Sequence, residues 1–170
     1  TVSTVAIREL VSENDIPIIG VVEPAGLAAA KATRNGQVGL IGTQASVRSG
    51  AYERVIASVN PDIQVLAEAC PLLVPLIEEG RIHEGDVVIE TVVSEYLAPM
   101  KEAGVDTLVL GCTHYPLLKK IISRQSGEHV TLIDTGEQCA IRVSELLAQG
   151  GLLAPVDRKQ QAERFKVPLV

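Results

Sequence analysis

Residues 105–116 read VDTLVLGCTHYP, a run that joins a strand signal to a group of chemically active side chains. Its aliphatic centre predicts a strand over Thr107–Gly111, because the strands of a parallel sheet are covered by helices on both faces. Pro116 then suits the first turn of a helix, where its missing N–H leaves no hydrogen bond unmade. Residues 112–114 place a thiol, a hydroxyl and an imidazole at the carboxyl end of that strand, where ligands bind in open α/β sheets.

On both sides of this run, aliphatic strands alternate with helical stretches. Such alternation predicts an α/β fold, with a parallel sheet flanked by helices. The predicted strands are Pro17–Val22, Val38–Gly42, Ile63–Ala67, Thr107–Gly111 and Val130–Asp134. The predicted helices are Val2–Ser12, Ala25–Thr33, Ser46–Val59, Leu73–Glu79, Asp86–Ala103, Pro116–Arg124 and Glu137–Leu147.

The composition narrows the classes of function. Of the 170 residues, 46% are hydrophobic but only 2% are aromatic, so the core must be built from Val, Ile, Leu and Ala. A formal charge of −6 without a Lys/Arg cluster argues against nucleic-acid binding. No apolar run approaches the roughly 20 residues that cross a membrane. Three widely spaced cysteines indicate free thiols, which are typical of the cytoplasm, and no disulfide framework, metal motif or nucleotide-binding motif is found.

Cys112 has the surroundings of a reactive thiol. The amino terminus of a helix stabilises an anion, so a thiolate at this position would have a lowered pKa. His114, if it lies close, could share or relay a proton. The residues alone leave a second interpretation open, in which Cys112 is a small buried residue that ends a strand.

The other chemically active side chains favour structural interpretations. Cys70 is followed by apolar residues without an adjacent base, and Cys139 lies on an apolar helical face that predicts core packing. His83 and His129 stand alone in loop-like sequence and are predicted to be solvated. Glu78 ends an apolar helix, so by itself it is predicted to be a solvated helix end.

Residues 111–118, GCTHYPLL, resemble the second catalytic motif of the glutamate racemases. Further stretches resemble that family in the family's own order, and the resemblance covers nearly all of the chain except its last dozen or so residues. These stretches are residues 21–25 (VVEPA), 39–43 (GLIGT), 47–52 (VRSGAY), 69–78 (ACPLLVPLIE) and 132–137 (LIDTGE).

The resemblance implies a pseudo-symmetric enzyme of two α/β domains with its site between them. Such an enzyme interconverts L- and D-glutamate without a cofactor or a metal, and the D-glutamate feeds peptidoglycan synthesis. Two cysteines face opposite sides of the substrate Cα; one thiolate removes the proton and the other thiol returns a proton to the far face. The carbanion must be stabilised electrostatically, because no cofactor ring serves as an electron sink.

The resemblance also implies roles for particular residues. Cys112 would be one of the two acid/base thiols and His114 its partner, while Thr113 would bind the amino or carboxylate group of the substrate. Glu78, chosen over its neighbour by its register in the motif, would assist near the thiol. Thr1 matches the third residue of the family's first Cys-Asn-Thr motif and would also bind substrate, so the other catalytic cysteine would lie before this chain.

The expected organisation follows from this alignment of motifs. Residues 1–21 would be a remnant of the first domain, 22–129 the second domain, and 130–170 a segment that returns to the first. The chain alone is expected to be inactive. Glutamate is the expected partner, and a homodimer is left open. Two alternatives also stay open: a related aspartate or hydantoin racemase, and a non-catalytic module that binds a ligand.

Overall fold

The computed structural model describes residues 6–153. It contains four strands, a series of helices and one 3-10 turn in the order expected of an α/β fold. The strands are β1 (Gln37–Gly42), β2 (Gln64–Ala69), β3 (Thr107–Gly111) and β4 (Thr131–Asp134). The helices are α1 (Ile7–Glu13), α2 (Val22–Ala32), α3 (Gln44–Arg48), α4 (Ala51–Val59), α5 (Leu73–Glu78), α6 (Val87–Glu102), α7 (Lys119–Ser126) and α8 (Thr135–Gln149), and the 3-10 turn is Tyr115–Leu118.

The four strands form one sheet in the order β2-β1-β3-β4, and each neighbouring pair is parallel. The register pairs Gly42 at the end of β1 with Gly111 at the end of β3. Parallel pairing brings the carboxyl ends of all four strands to one edge of the sheet. The segments that follow the strands therefore meet at this edge, which is where the predicted thiol lies.

The central strand β3 supplies both faces of the core, since all five of its residues are buried. On one face, Leu108 and Leu110 pack with residues of α5, α6 and α7. On the other face, Val109 packs with residues of α2 and α4. This two-sided burial is the reason that the strand reads as a continuous apolar run rather than an alternating one. Within residues 6–153 no helix is long and apolar enough to span a membrane.

Two predicted elements are wrong. Residues 17–20 form no strand, and α2 begins at Val22, which the prediction placed in that strand. A short aliphatic run does not distinguish a buried strand from a connection that enters a helix. The predicted helix Ser46–Val59 is divided into α3 and α4, because Gly50 adopts a left-handed φ of 61° between them.

The ends of other elements differ from the predictions in smaller ways. The helix expected from Pro116 starts as the 3-10 turn and continues as α7 to Ser126. The first predicted helix corresponds to α1, and the part of it before residue 6 lies outside the described residues. β4 is hydrogen-bonded to β3. A domain boundary at residue 129 would therefore separate β4 from its own sheet.

Candidate active site

A cavity of about 220 Å³ opens at the carboxyl edge of the sheet. Sites for drug-sized ligands are larger, at roughly 300–1,000 Å³, so this cavity suits a molecule smaller than a typical drug. Its walls come from the segments that follow β1, β3 and β4, from helices α4 and α5, and from the residue before α2. The lining residues are Val21, Thr43, Tyr52, Val74, Gly111, Cys112, Thr113, His114 and Thr135.

Gly111 allows the cavity floor to form at the end of β3. A Cβ atom at this position would lie 2.8 Å from the backbone oxygen of Ile41 and 2.8 Å from Cδ1 of Leu40. Only glycine therefore permits the close approach of β1 and β3 at this point. The half-buried Cys112 follows directly, so the tight end of the strand determines where its thiol is presented.

A thiol and an imidazole line the cavity, and a carboxylate outside this lining contacts the imidazole. The Sγ atom of Cys112 lies 3.9 Å from Nδ1 of His114, and Nε2 of His114 lies 3.3 Å from Oε1 of Glu78. A carboxylate at one ring nitrogen orients the imidazole and leaves the other nitrogen facing the thiol. The imidazole is 36% and the carboxylate 62% exposed, so solvent reaches both groups.

The remaining predicted site residues are placed as follows. Thr113 is exposed and lines the cavity beside Cys112. Thr1 lies outside the described residues. Sequence reasoning did not single out Thr43, Tyr52 or Thr135 as site residues. Thr43 and Thr135 follow the ends of β1 and β4, and that position at the carboxyl edge of a parallel sheet is the signal that could have found them.

Two of the three threonines that line the cavity, Thr43 and Thr135, are held in place by hydrogen bonds. The hydroxyl of Thr43 accepts from the backbone N–H of Ser46 at 3.2 Å and thereby caps α3. Thr135 is buried, and its hydroxyl donates to the backbone oxygen of Leu110 at 3.2 Å. The first bond caps α3 directly after β1, and the second holds the start of α8 against the end of β3.

The other two thiols lie away from the cavity. Cys70 is only 1% exposed, and burial, followed by the nearby Glu68 carboxylate, raises the pKa of its thiol to about 12. Its backbone oxygen accepts a 3.2 Å hydrogen bond from the hydroxyl of Tyr115. The structural role predicted for Cys70 agrees with this burial. Cys139 is half-buried on a face of α8 that includes the 37% exposed Leu147, so it is not in the core.

Known proteins with similar sequences include glutamate racemases. The glutamate racemase of Geobacter metallireducens is 46% identical over 165 residues, which are 97% of this chain and 60% of the relative. That of Corynebacterium diphtheriae is 42% identical over an alignment of 185 positions, which covers 100% of this chain and 69% of the relative. The chain thus spans about 60% of the length of the Geobacter relative.

Solved structures agree in fold. A glutamate racemase isoform of Bacillus anthracis superposes with a TM-score of 0.83 at 37% identity, over 89% of this chain and 57% of that one. The Francisella tularensis glutamate racemase, solved in complex with D-glutamate, gives a TM-score of 0.80 at 33% identity, over 92% and 57% of the two chains.

The family assignment rests on most of the chain rather than on the thiol motif alone. Residues 2–142 match the sequence profile of the Asp/Glu/Hydantoin racemases. This match includes every strand of the sheet and each residue of the thiol–imidazole–carboxylate group. The chain therefore belongs to the Asp/Glu/Hydantoin racemase family.

Proposed function

We propose that these residues belong to a glutamate racemase, which interconverts L- and D-glutamate without a cofactor or metal. The observation that carries this proposal is the pair of Cys112 and His114 in the lining of a small cavity, with the Glu78 carboxylate in contact with the imidazole. Curated relatives at 40–46% identity carry the name glutamate racemase, which favours glutamate over the aspartate or hydantoin alternatives. The bound D-glutamate of the Francisella neighbour supports the same substrate.

In the proposed reaction, the Cys112 thiolate removes the Cα proton of one glutamate enantiomer. The proton moves to sulfur, and the electron pair of the broken C–H bond stays on the substrate as a carbanion. A second thiol then protonates the opposite face of Cα. His114 accepts or returns the proton of Cys112, Glu78 orients the imidazole, and the Thr113 hydroxyl binds the amino or carboxylate group of the substrate.

The second thiol is proposed to come from outside these 170 residues. The chain has two cysteines besides Cys112, at positions 70 and 139. Neither lines the cavity, and the first is almost fully buried. With one thiol at the substrate, a returned proton would tend to restore the original enantiomer. We therefore propose that residues 1–170 alone do not racemise glutamate.

The proposed organisation has three parts. Residues 1–21 belong to a first α/β domain, and the second domain starts near residue 22. Because β4 pairs with β3, the second domain is better taken to end after Asp134 than at residue 129. The residues that follow return toward the first domain. The D-glutamate produced is proposed to supply peptidoglycan synthesis in the cytoplasm.

The test uses the whole protein, meaning the product of the full reading frame that contains these residues, with its intact mass measured first. We expect it to convert L-glutamate to D-glutamate and, in D₂O, to place deuterium at Cα. Parallel reactions with aspartate and with a hydantoin should show far less conversion. A preference for either of these would overturn glutamate as the substrate, and tight glutamate binding without Cα exchange would indicate a non-catalytic binding protein.

A matched experiment compares the whole protein with its separately expressed residues 1–170. The shorter chain is expected to give no D-glutamate, because Cys112 is the only thiol that lines the cavity among residues 6–153. Racemisation by the shorter chain that disappears in Cys112→Ser would contradict a requirement for a second thiol.

The carboxylate in the group can be tested against its neighbour. Glu78→Gln should lower kcat/KM of the whole protein about fivefold, because a contact this exposed between a carboxylate and an imidazole contributes roughly 1 kcal/mol or less. Glu79→Gln is the matched control, since Glu79 is exposed and follows Glu78 directly at the end of α5. Steady-state kinetics of both variants would distinguish the two residues. An equal loss in both would remove Glu78 from its proposed role.

A further inference from the structure

Tyr52 differs from the other two tyrosines in its hydrogen bonding. Its side chain on α4 is 1% exposed and forms part of the cavity wall. Among the described residues its hydroxyl has no hydrogen-bond partner. By contrast, the hydroxyl of Tyr115 donates to the oxygen of Cys70, and that of Tyr96 accepts from the N–H of Leu72. The hydroxyl is not among the fully buried polar atoms that lack a partner in the described residues, so it opens into the cavity, where a bound group can accept its hydrogen bond.

The position of the ring brings Tyr52 next to the thiol motif. Its Cε2 atom lies 3.6 Å from the point where a Cβ of Gly111 would stand, and Cys112 is the next residue along the chain. The ring therefore packs against the end of β3 from the α4 side of the cavity. His114 approaches the thiol from the other direction along the chain, at 3.9 Å.

The surroundings of Tyr52 keep its hydroxyl protonated. Burial, and then the negative charge of a Cys112 thiolate, raise the pKa of Tyr52 to about 12. At neutral pH the phenol is thus a hydrogen-bond donor beside a group that becomes an anion. A hydrogen bond to the charged form of an acid favours that form.

We propose that the Tyr52 hydroxyl is a positioning donor of this site, which hydrogen-bonds to the Cys112 thiolate through one water molecule in the cavity that both residues line. The bond stabilises the thiolate and so prepares the base that removes the Cα proton. This inference rests on the proposed function for its role in the reaction, although its effect on the thiol can be measured separately.

Several other titratable groups face the same thiol and must be kept constant. His114 lies in hydrogen-bond range of the sulfur, and Glu78 acts on it through that imidazole. Cys70 and Tyr115 interact electrostatically with Cys112 from the core side. None of these groups is altered when the Tyr52 hydroxyl alone is removed, so a Tyr52→Phe variant isolates its contribution.

The experiment measures the reactivity of Cys112 in the whole protein. Wild type and Tyr52→Phe are treated briefly with iodoacetamide between pH 5 and 10, and alkylation of the peptide containing Cys112 is quantified by mass spectrometry. We expect the midpoint of the profile to rise by about one pH unit in Tyr52→Phe. Tyr96→Phe is the matched control and should leave the midpoint unchanged, because Tyr96 lies on α6 and does not line the cavity.

A second readout separates this role from a structural one. Removing a hydroxyl that has no partner in the protein should leave the thermal midpoint unchanged or raise it, while the thiol midpoint still rises. A lower thermal midpoint with an unchanged thiol profile would overturn the proposal and make Tyr52 a core residue only.

If the profile shifts but the whole protein does not racemise glutamate, the proposed function fails and the donor role stands. If the whole protein racemises glutamate and the profile does not shift, the proposed function stands and the donor role of Tyr52 fails.

Discussion

Cys112→Ser should lower kcat of the whole protein for glutamate racemisation by at least about 10³-fold. General acid–base groups contribute typically 10²–10⁴-fold, and serine cannot substitute because its hydroxyl ionises far above the pKa of about 8.5 of a free thiol. The loss should be expressed in kcat more than in KM, since the thiol acts on the Cα proton. Time courses of optical rotation or of D-glutamate formation would measure it.

Cys139→Ser provides the matched control for this substitution. It makes the same chemical change in the same chain, at a half-buried position that does not line the cavity. Its activity should stay within about twofold of wild type. Substitutions outside the core and outside the cavity usually change the free energy of unfolding by no more than about 0.5 kcal/mol. Cys112→Ser with more than a tenth of the wild-type kcat would remove Cys112 from the acid/base role.

The largest expected effect on stability is at Asp106, which lies just before β3 at the edge of the sheet opposite the cavity. Its side chain is 8% exposed. It accepts hydrogen bonds from the hydroxyl of Thr33 at 2.8 Å and from the backbone N–H groups of Arg34 and Asn35 at 2.7 and 2.9 Å. The hydroxyl of Thr107 donates to it at 3.0 Å. The carboxylate thereby ties the turn between α2 and β1 to the start of β3.

Asp106→Ala should lower the free energy of unfolding by about 3 kcal/mol, because it leaves several partly buried donors without an acceptor. In a protein of this size the thermal midpoint should fall by roughly 6–12 °C. Asp62→Ala is the matched control, since Asp62 is exposed, and it should change the midpoint little. Similar losses in both variants would contradict the role of Asp106 as a clamp.

The same carboxylate predicts a pH dependence with a definite sign. Burial raises the pKa of Asp106, but the four hydrogen bonds outweigh it and hold the pKa below its ordinary value of 3.8. A group with a lowered folded-state pKa stabilises the protein fully above its unfolded-state pKa, and this contribution is lost as the pH falls through the folded-state value. The difference between wild type and Asp106→Ala should therefore be full at pH 7 and shrink below about pH 4. Urea unfolding at pH 7, 5 and 3 would measure it, and a constant difference would contradict it.

Local sequence was sufficient to predict the central strand and the location of the thiol. Thr107–Gly111 has the bounds that its aliphatic run indicates, because a strand buried on both faces needs apolar residues without interruption. The placement of Cys112 after this strand follows from chain continuity alone. Where the local signal was ambiguous, prediction failed: the short run Pro17–Val22 is a connection and the start of α2, and Gly50 interrupts a stretch that reads as one helix.

The membership of the site was decided by the tertiary structure. Within its own segment, Glu78 indicates only a solvated helix end, and the local sequence around Tyr52 indicates only a position in the predicted helix Ser46–Val59. Parallel pairing in the order β2-β1-β3-β4 gathers the ends of strands that are far apart in sequence, so Glu78 reaches His114 and Tyr52 reaches the cavity of Cys112. Hydrophobic pattern specifies which residues are buried in each strand, but the order and register of the strands depend on packing between distant segments. For this reason the sequence by itself determined the fold class and the position of one thiol, while the groups that surround that thiol became visible only in the folded chain.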